Sequence, residues 1–431
     1  MRVPLPVRRA RDGLLAALLA VAVGACQPSA RTDDHVTVPP VTVTWPPGPV
    51  RPVTLPMAQA SHRWLVALAF VRPDGSERRA TAWVNFGTPA PILSRTLARD
   101  LGLDRGHDLR FRLGTVAVRV AGDFVAEGPR LPAGQDLLAQ LFAPRPVEAV
   151  LPAGVLRAFA VGLDPSTGTL TLGPSGSLPA RGVALPVRIA QESGLVTAEA
   201  AVAGERATFV LDPGASYTWL RGRTGAAWLA RHPDWERARG AVGRSAVAMA
   251  DLGLEQEGTV LRLPELALGP LVLPELGALA TGPLGGAVVE ATLGEIFWDT
   301  WQKPAGRQVD GWLGNNALGT GRLTIDYAAG WVRFERQRQL DPHDLDGIGL
   351  ALVRRGEGYA VGQVATREGR PLVAGIAGGD VLRRVDGRPV AGLATDALIA
   401  ALSGRAGTRR LLDLERDGVP IALEAEAVSL R

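Results

Sequence analysis

The sequence predicts a mainly β protein: two tandem, related β-rich lobes about a pseudo-twofold axis, then a smaller β/α module. Three observations predict it. Gly 52 and Pro 33 in 431 residues demand many turns and argue against long helices. The strand-and-turn pattern of residues 60–175 returns in residues 183–336. After Asp341 the pattern changes again. Apolar content of 46% with 21% charged residues suits a folded chain long enough for two or three cores.

The N-terminus comes first. "MRVPLPVRRARDG" is a basic segment, followed by the twelve-residue apolar run Leu14 to Ala25. That run is short for a membrane span and right for a signal-peptide core. It ends in "VGAC", where Cys26 is the only cysteine of the chain. This resembles the lipobox of bacterial lipoproteins. The resemblance implies cleavage after residue 25, lipidation of Cys26 and anchoring at a membrane of the cell envelope, facing the periplasm. Gln27 rather than aspartate follows, which by the same resemblance points to the outer membrane. Residues 26–59 are proline-rich and are expected to form an extended tether. No later apolar run reaches 18 residues, so no transmembrane helix is expected. The sole thiol excludes internal disulfides.

The repeat is explicit. "RRATAWVNFGTPAPIL" (Arg78 to Leu93) aligns without gaps on "ERATFVLDPGASYTWL" (Glu205 to Leu220), with Asn85 opposite Asp212 at an offset of 127. "VEAVLPAGVLRAFAVGLDPSTGTLTLG" from Val147 aligns on "VDGWLGNNALGTGRLTIDYAAGWVRFE" from Val309 at an offset of 162. The second copy therefore carries 35 extra residues. Each copy ends in two strands around an Asp-led turn, at Asp164 and Asp326. Copies that cannot bury their faces alone pack together, placing Asn85 and Asp212 face to face at the interface.

A carboxylate delivered by the buried strand Thr208 to Leu211 is costly unless something uses it. "VLDPGAS" resembles the catalytic loop of the aspartic peptidases in their bacterial retropepsin-like form. "WLGNNAL", Trp312 to Leu318, is similar to that family's hydrophobic-hydrophobic-Gly mark. The resemblance covers residues 60–336 and implies two acid-protease-like β-barrel lobes. It also implies peptide-bond hydrolysis by two carboxyl groups that share a proton across one water, as in pepsin, the standard instance.

The chain departs from that pattern at four positions. Asn85 stands where the first aspartate belongs, and an amide does not exchange a proton as a carboxyl group does. Phe86 and Pro213 replace the two hydroxyl residues whose side chains tie the loops together. Pro152 replaces the first copy's glycine, while Gly314, Gly87 and Gly214 remain. Two roles stay open for Asp212: the surviving half of a catalytic pair, or an acceptor of backbone N–H groups in its own turn. The matching functions are a catalytically impaired peptide-binding protein and an active aspartic endopeptidase using Asp212.

The last segment, Gly347 to Val428, resembles a PDZ domain, most specifically in "AGIAGGDVLRRVDGRPV" and the helix-like "LATDALIAALS" after it. Residues 343–431 are expected to form it. "GIGL" (Gly347, Ile348, Gly349, Leu350) looks like the carboxylate-binding loop, implying a peptide or protein C-terminal tail as partner.

Other chemistry finds little support. The five histidines, His35, His62, His107, His232 and His343, lack metal-ligand spacing, so no metal is expected. No phosphate or dinucleotide fingerprint calls for a cofactor. The net charge of +4 falls to near +1 once residues 1–25 are set aside, and no basic stripe suggests nucleic acid. "FWDTW", Phe297 to Trp301, reads as an aromatic packing cluster. Oligomeric state is open.

Overall fold

In the computed structural model the described residues are 41–128, 136–247, 255–282, 298–299 and 302–429. Cys26 and the expected signal peptide lie outside them.

Strands Val53–Ala60, Arg63–Val71 and Glu77–Asn85 form an antiparallel meander. Its first turn places Ser61 and His62 at φ 49° and 54°, the mirror-type turn that matches strand twist. Glu77–Asn85 then runs parallel to Ala149–Pro152, and Ile92–Leu93 lies antiparallel on the latter's other side. The second lobe builds the same arrangement from Glu205–Leu211, Gly311–Leu313 and Trp219–Leu220. Even the register agrees. Val84 faces Leu151 as Leu211 faces Leu313, and Ile92 faces Val150 as Trp219 faces Trp312. These pairs are related by the offsets of 127 and 162 read from the sequence.

The hairpin Ala160–Asp164 with Thr169–Gly173 meets its counterpart, Gly321–Asp326 with Trp331–Arg336, edge to edge. Gly162 pairs with Thr324, its own equivalent at the offset of 162, so the pseudo-twofold axis passes through this pair. Both Asp-led turns form. Asp164 accepts the Ser166 N–H at 3.0 Å and Asp326 accepts the Ala329 N–H at 3.0 Å. One apolar core runs through both lobes, from Val66 and Phe70 to Leu263 and Ile325.

The tether expectation needs correction from residue 41 onward. Val41–Thr44 pairs with Val116–Val120, and Val53–Pro56 pairs with Thr169–Leu172. Alternating valines and threonines supply β-branched side chains at a period of two, and this outweighs the surrounding prolines. The prolines Pro46, Pro47, Pro49 and Pro52 sit in the exposed connection between the two strands. Trp45 packs edge-on against Phe159, ring centroids 5.9 Å apart.

The C-terminal module is a sheet in the order Leu350–Arg355, Gly358–Val364, Val381–Val385, Arg409–Arg416, Val419–Glu426, with the helix Thr395–Leu402 and a core of its own. It is docked on both lobes. Thr366 pairs with Arg239, continuing the second lobe's sheet. Tyr217 donates to Asp344 at 2.8 Å, and Arg262 pairs with Asp344 at 2.8 Å. From the first lobe, Gln140 donates to the Arg354 carbonyl at 3.1 Å. Among the described residues no helix is long and apolar enough to cross a membrane.

Candidate functional site

Each lobe contributes one loop, delivered by the strand that pairs in parallel with its neighbour. Leu211 ends a strand buried from Ala207 onward, and the Asp212 N–H extends the ladder by donating to the Leu313 carbonyl at 3.0 Å. Asn85 takes the matching place opposite Pro152. The structure brings the two side chains together: Asn85 Nδ2 donates to Asp212 Oδ2 at 3.3 Å, and each residue is only 3% exposed.

The loops share a local turn. Gly87 N–H donates to Asn85 Oδ1 at 2.9 Å, and Gly214 N–H donates to Asp212 Oδ1 at 3.0 Å. This fixes the amide: with Oδ1 held by Gly87, Nδ2 faces the carboxylate as a donor. One further bond breaks the symmetry. Phe86 N–H crosses to Asp212 Oδ1 at 2.9 Å, whereas its counterpart Pro213 has no N–H to return. The loops are therefore tied without hydroxyl side chains, by the Phe86 backbone and by the Trp83 indole, which donates to the Gly214 carbonyl at 2.9 Å.

The two glycines are needed for this approach. A Cβ on Gly214 would overlap the Val84 carbonyl and lie 2.8 Å from Asn85 Cα, while one on Gly87 would lie 2.5 Å from Asp212 Oδ2. At Gly314 a Cβ would overlap the Tyr217 carbonyl. Its N–H donates to Thr218 Oγ1 at 3.2 Å. In the first lobe the corresponding donor and acceptor are Pro152 and Pro91, so both partners are lost together and neither is left unpaired. The backbone accommodates it, with φ −91° at Pro152 and −92° at Gly314.

Burial pushes the Asp212 carboxyl up to about 6, against the opposing pull of the Phe86, Gly214 and Ala215 N–H groups and of the Arg63 charge. Arg63 is itself buried and pushed down to about 10. Its guanidinium lies 5.5 Å from the Trp83 ring centroid and 5.8 Å from that of Phe142, a stacked placement suited to a desolvated cation. Burial, reinforced by the Asp212 charge, raises the Tyr327 hydroxyl well above its ordinary range.

Sequence reading identified Asn85, Phe86, Gly87, Asp212, Pro213, Gly214 and Gly314, and all converge here. It missed Trp83 and Arg63. Trp83 lies two residues before Asn85, on the same strand face, and Arg63 is a lone charge opening the apolar run "RWLVALAFV". Those placements were readable in the sequence, and the partners across the lobes were not. In the insertion, Trp298 packs on Trp312 at 5.1 Å, and Asp299 pairs with the buried Arg221 at 2.5 Å. Phe297, Thr300 and Trp301 lie outside the described residues.

Gly347, Ile348, Gly349 and Leu350 fall at the head of the groove between the edge strand Leu350–Arg355 and the helix Thr395–Leu402, with Gly349 at φ 78°. Two of the four loop N–H groups are engaged within the module itself. Gly347 N–H donates to the Val428 carbonyl at 3.2 Å and Ile348 N–H to the Leu402 carbonyl at 3.3 Å. From the second lobe, Gly243 and Ala246 line the groove and Val247 is buried in the module's core.

No family model and no curated protein matches the chain. Among solved structures, the chain is similar to an aspartic proteinase from Irpex lacteus, at 13% identity over 66% of this chain and 97% of that one, TM-score 0.37. It is also similar to the Basic 7S globulin from soybean, at 10% identity over 67% of this chain and 96% of that one, TM-score 0.35.

Proposed function

We propose that this chain is an aspartic-peptidase-like scaffold that has given up two-carboxylate catalysis and binds peptide segments instead. The observation that carries the proposal is the 3.3 Å contact between Asn85 Nδ2 and Asp212 Oδ2. Hydrolysis by this type of site needs one ionised carboxyl to accept a proton from water and one protonated carboxyl to polarise the peptide carbonyl. Asp212 can fill the first role. Asn85 cannot fill the second as an exchanging acid, because its Nδ2–H protons are not released in the accessible pH range. Losing one general acid–base partner typically costs ~10²–10⁴-fold in rate.

Incubation with a mixed peptide library from acid to neutral pH, beside an Asp212→Asn control, tests this. Equal traces of cleavage by both proteins are expected. Cleavage abolished by the substitution overturns the proposal in favour of a weak endopeptidase. That second reading draws on the Asp212 carboxyl at about 6, a value suited to a general base near neutral pH.

Two extensions complete the proposal. The C-terminal module, by its PDZ-like sequence, takes peptide or protein C-terminal tails. Cys26, by its lipobox, anchors the chain to a bacterial envelope membrane, the outer one by the residue that follows. Labelling with a radioactive fatty acid, lost in Cys26→Ser, checks the anchor.

A further inference from the structure

We propose that residues 243–247 of the second lobe are a built-in occupant of the C-terminal module's groove, so that an outside peptide binds there only when this segment leaves. The inference rests on the reading of the module as a peptide binder.

Val247 belongs to the second lobe in sequence and to the module in space. It is fully buried within the module's own core, with Ile348, Leu350, Leu352, Ile399 and Leu402. Ala246 packs on Ala351 of the edge strand. The space left between the segment and the groove walls is about 20 Å³. That is room for about one water and for no side chain.

The segment is shaped for its place. Gly243 has φ 53°, and a Cβ there would overlap the Asp344 carbonyl. Arg244 N–H donates to that carbonyl at 2.8 Å. Val247 N–H donates to Glu255 Oε1 at 3.0 Å, and its carbonyl accepts from Arg63 at 3.4 Å. The chain on both sides of the groove therefore holds the plug.

It is nonetheless a replaceable plug. The edge strand Leu350–Arg355 has one ladder partner, Gly358–Val364, and among the described residues no ladder pairing joins it to the segment. An outside peptide entering as a strand gains main-chain bonds that the segment does not make. The segment holds its place by apolar burial, by its hydrogen bonds to Asp344, Glu255 and Arg63, and by tethering, which gives it a high effective concentration. Burying one valine side chain is worth roughly tenfold in an equilibrium constant.

The test uses the full chain and a pool of fluorescent seven-residue peptides with a free carboxylate and an apolar last residue. Val247→Asp places a charge in the apolar groove and expels the segment. Its binding is expected at least about 10-fold tighter than that of the unaltered chain. A cysteine pair, Ala246→Cys with Ala351→Cys in a Cys26→Ser background, locks the plug. The oxidised form is expected to bind at least about 10-fold more weakly than the reduced form. Equal binding throughout overturns the inference and leaves the peptide-binding reading standing. No binding by any form overturns both. Where Val247→Asp fails to fold, the oxidised and reduced forms decide alone, in the same way.

Discussion

Trp83 of the first lobe donates its indole N–H to the carbonyl of Gly214 in the second, 2.9 Å away. The contact ties the loop of one lobe to the loop of the other. Trp83→Phe keeps the ring and removes the donor, leaving a buried carbonyl unpaired. A loss of about 1–3 kcal/mol is expected. Chemical denaturation reads it as a lower midpoint at unchanged slope. An unchanged midpoint shows that the bond contributes nothing.

The register of both lobes was legible in the sequence because the two copies align without gaps through the strands that carry the site. Once Val84 faces Leu151 and Leu211 faces Leu313, the meeting of Asn85 and Asp212 follows from symmetry. The cross-lobe contacts were not legible. Trp83 and Arg63 reach partners set by how the lobes pack, and no local pattern encodes that. The closing of the C-terminal groove was hidden for the same reason. In "AVGRSAV" nothing marks Val247 as belonging to a core more than a hundred residues later in the chain. At Val41–Thr44 the signal of the strand is the period of two, which the prolines around it mask.

Asp212 makes stability depend on pH in a defined window. Its carboxyl is raised from 3.8 to about 6 on folding, so the folded state binds the proton more tightly than the unfolded state. The associated stability is present below 3.8, falls as pH rises towards 6, and is then level. At 1.36 kcal/mol per pKa unit the loss is on the order of 3 kcal/mol. Asp212→Asn removes this dependence, so the variant gains on the unaltered chain between pH 4 and 6.5. Parallel stability–pH curves for the two proteins contradict the prediction.

Asn85→Asp sets two carboxyl groups face to face. They cannot both ionise cheaply, so the pair retains one proton to higher pH than Asp212 does alone. The variant is expected to lose stability relative to the unaltered chain as pH rises from 4.5 to 7.5, by about 1.4 kcal/mol or more. Denaturant midpoints at the two pH values measure it. A constant difference between the proteins across that range contradicts it.

The two loop glycines differ in what they face. A Cβ on Gly214 meets main chain, at Val84 and Asn85, which cannot move without breaking the strand pairing. A Cβ on Gly87 meets the Asp212 side chain, which can rotate at the expense of its bond from Asn85. Gly214→Ala is therefore expected to destabilise more than Gly87→Ala, by at least about 1–2 kcal/mol, with overpacking as the cause. Thermal melts of the pair give the order, and the reverse order is the failing result.

The state of Asp212 itself is open to direct measurement, by carbon-13 NMR titration of its side-chain carboxyl, assigned by comparison with Asp212→Asn. A lone buried carboxyl facing an amide titrates in one step, raised to about 6. In Asn85→Asp the titration divides into two coupled steps. Titration of the unaltered chain near the ordinary 3.8, or in two coupled steps, contradicts a single carboxyl held by Asn85.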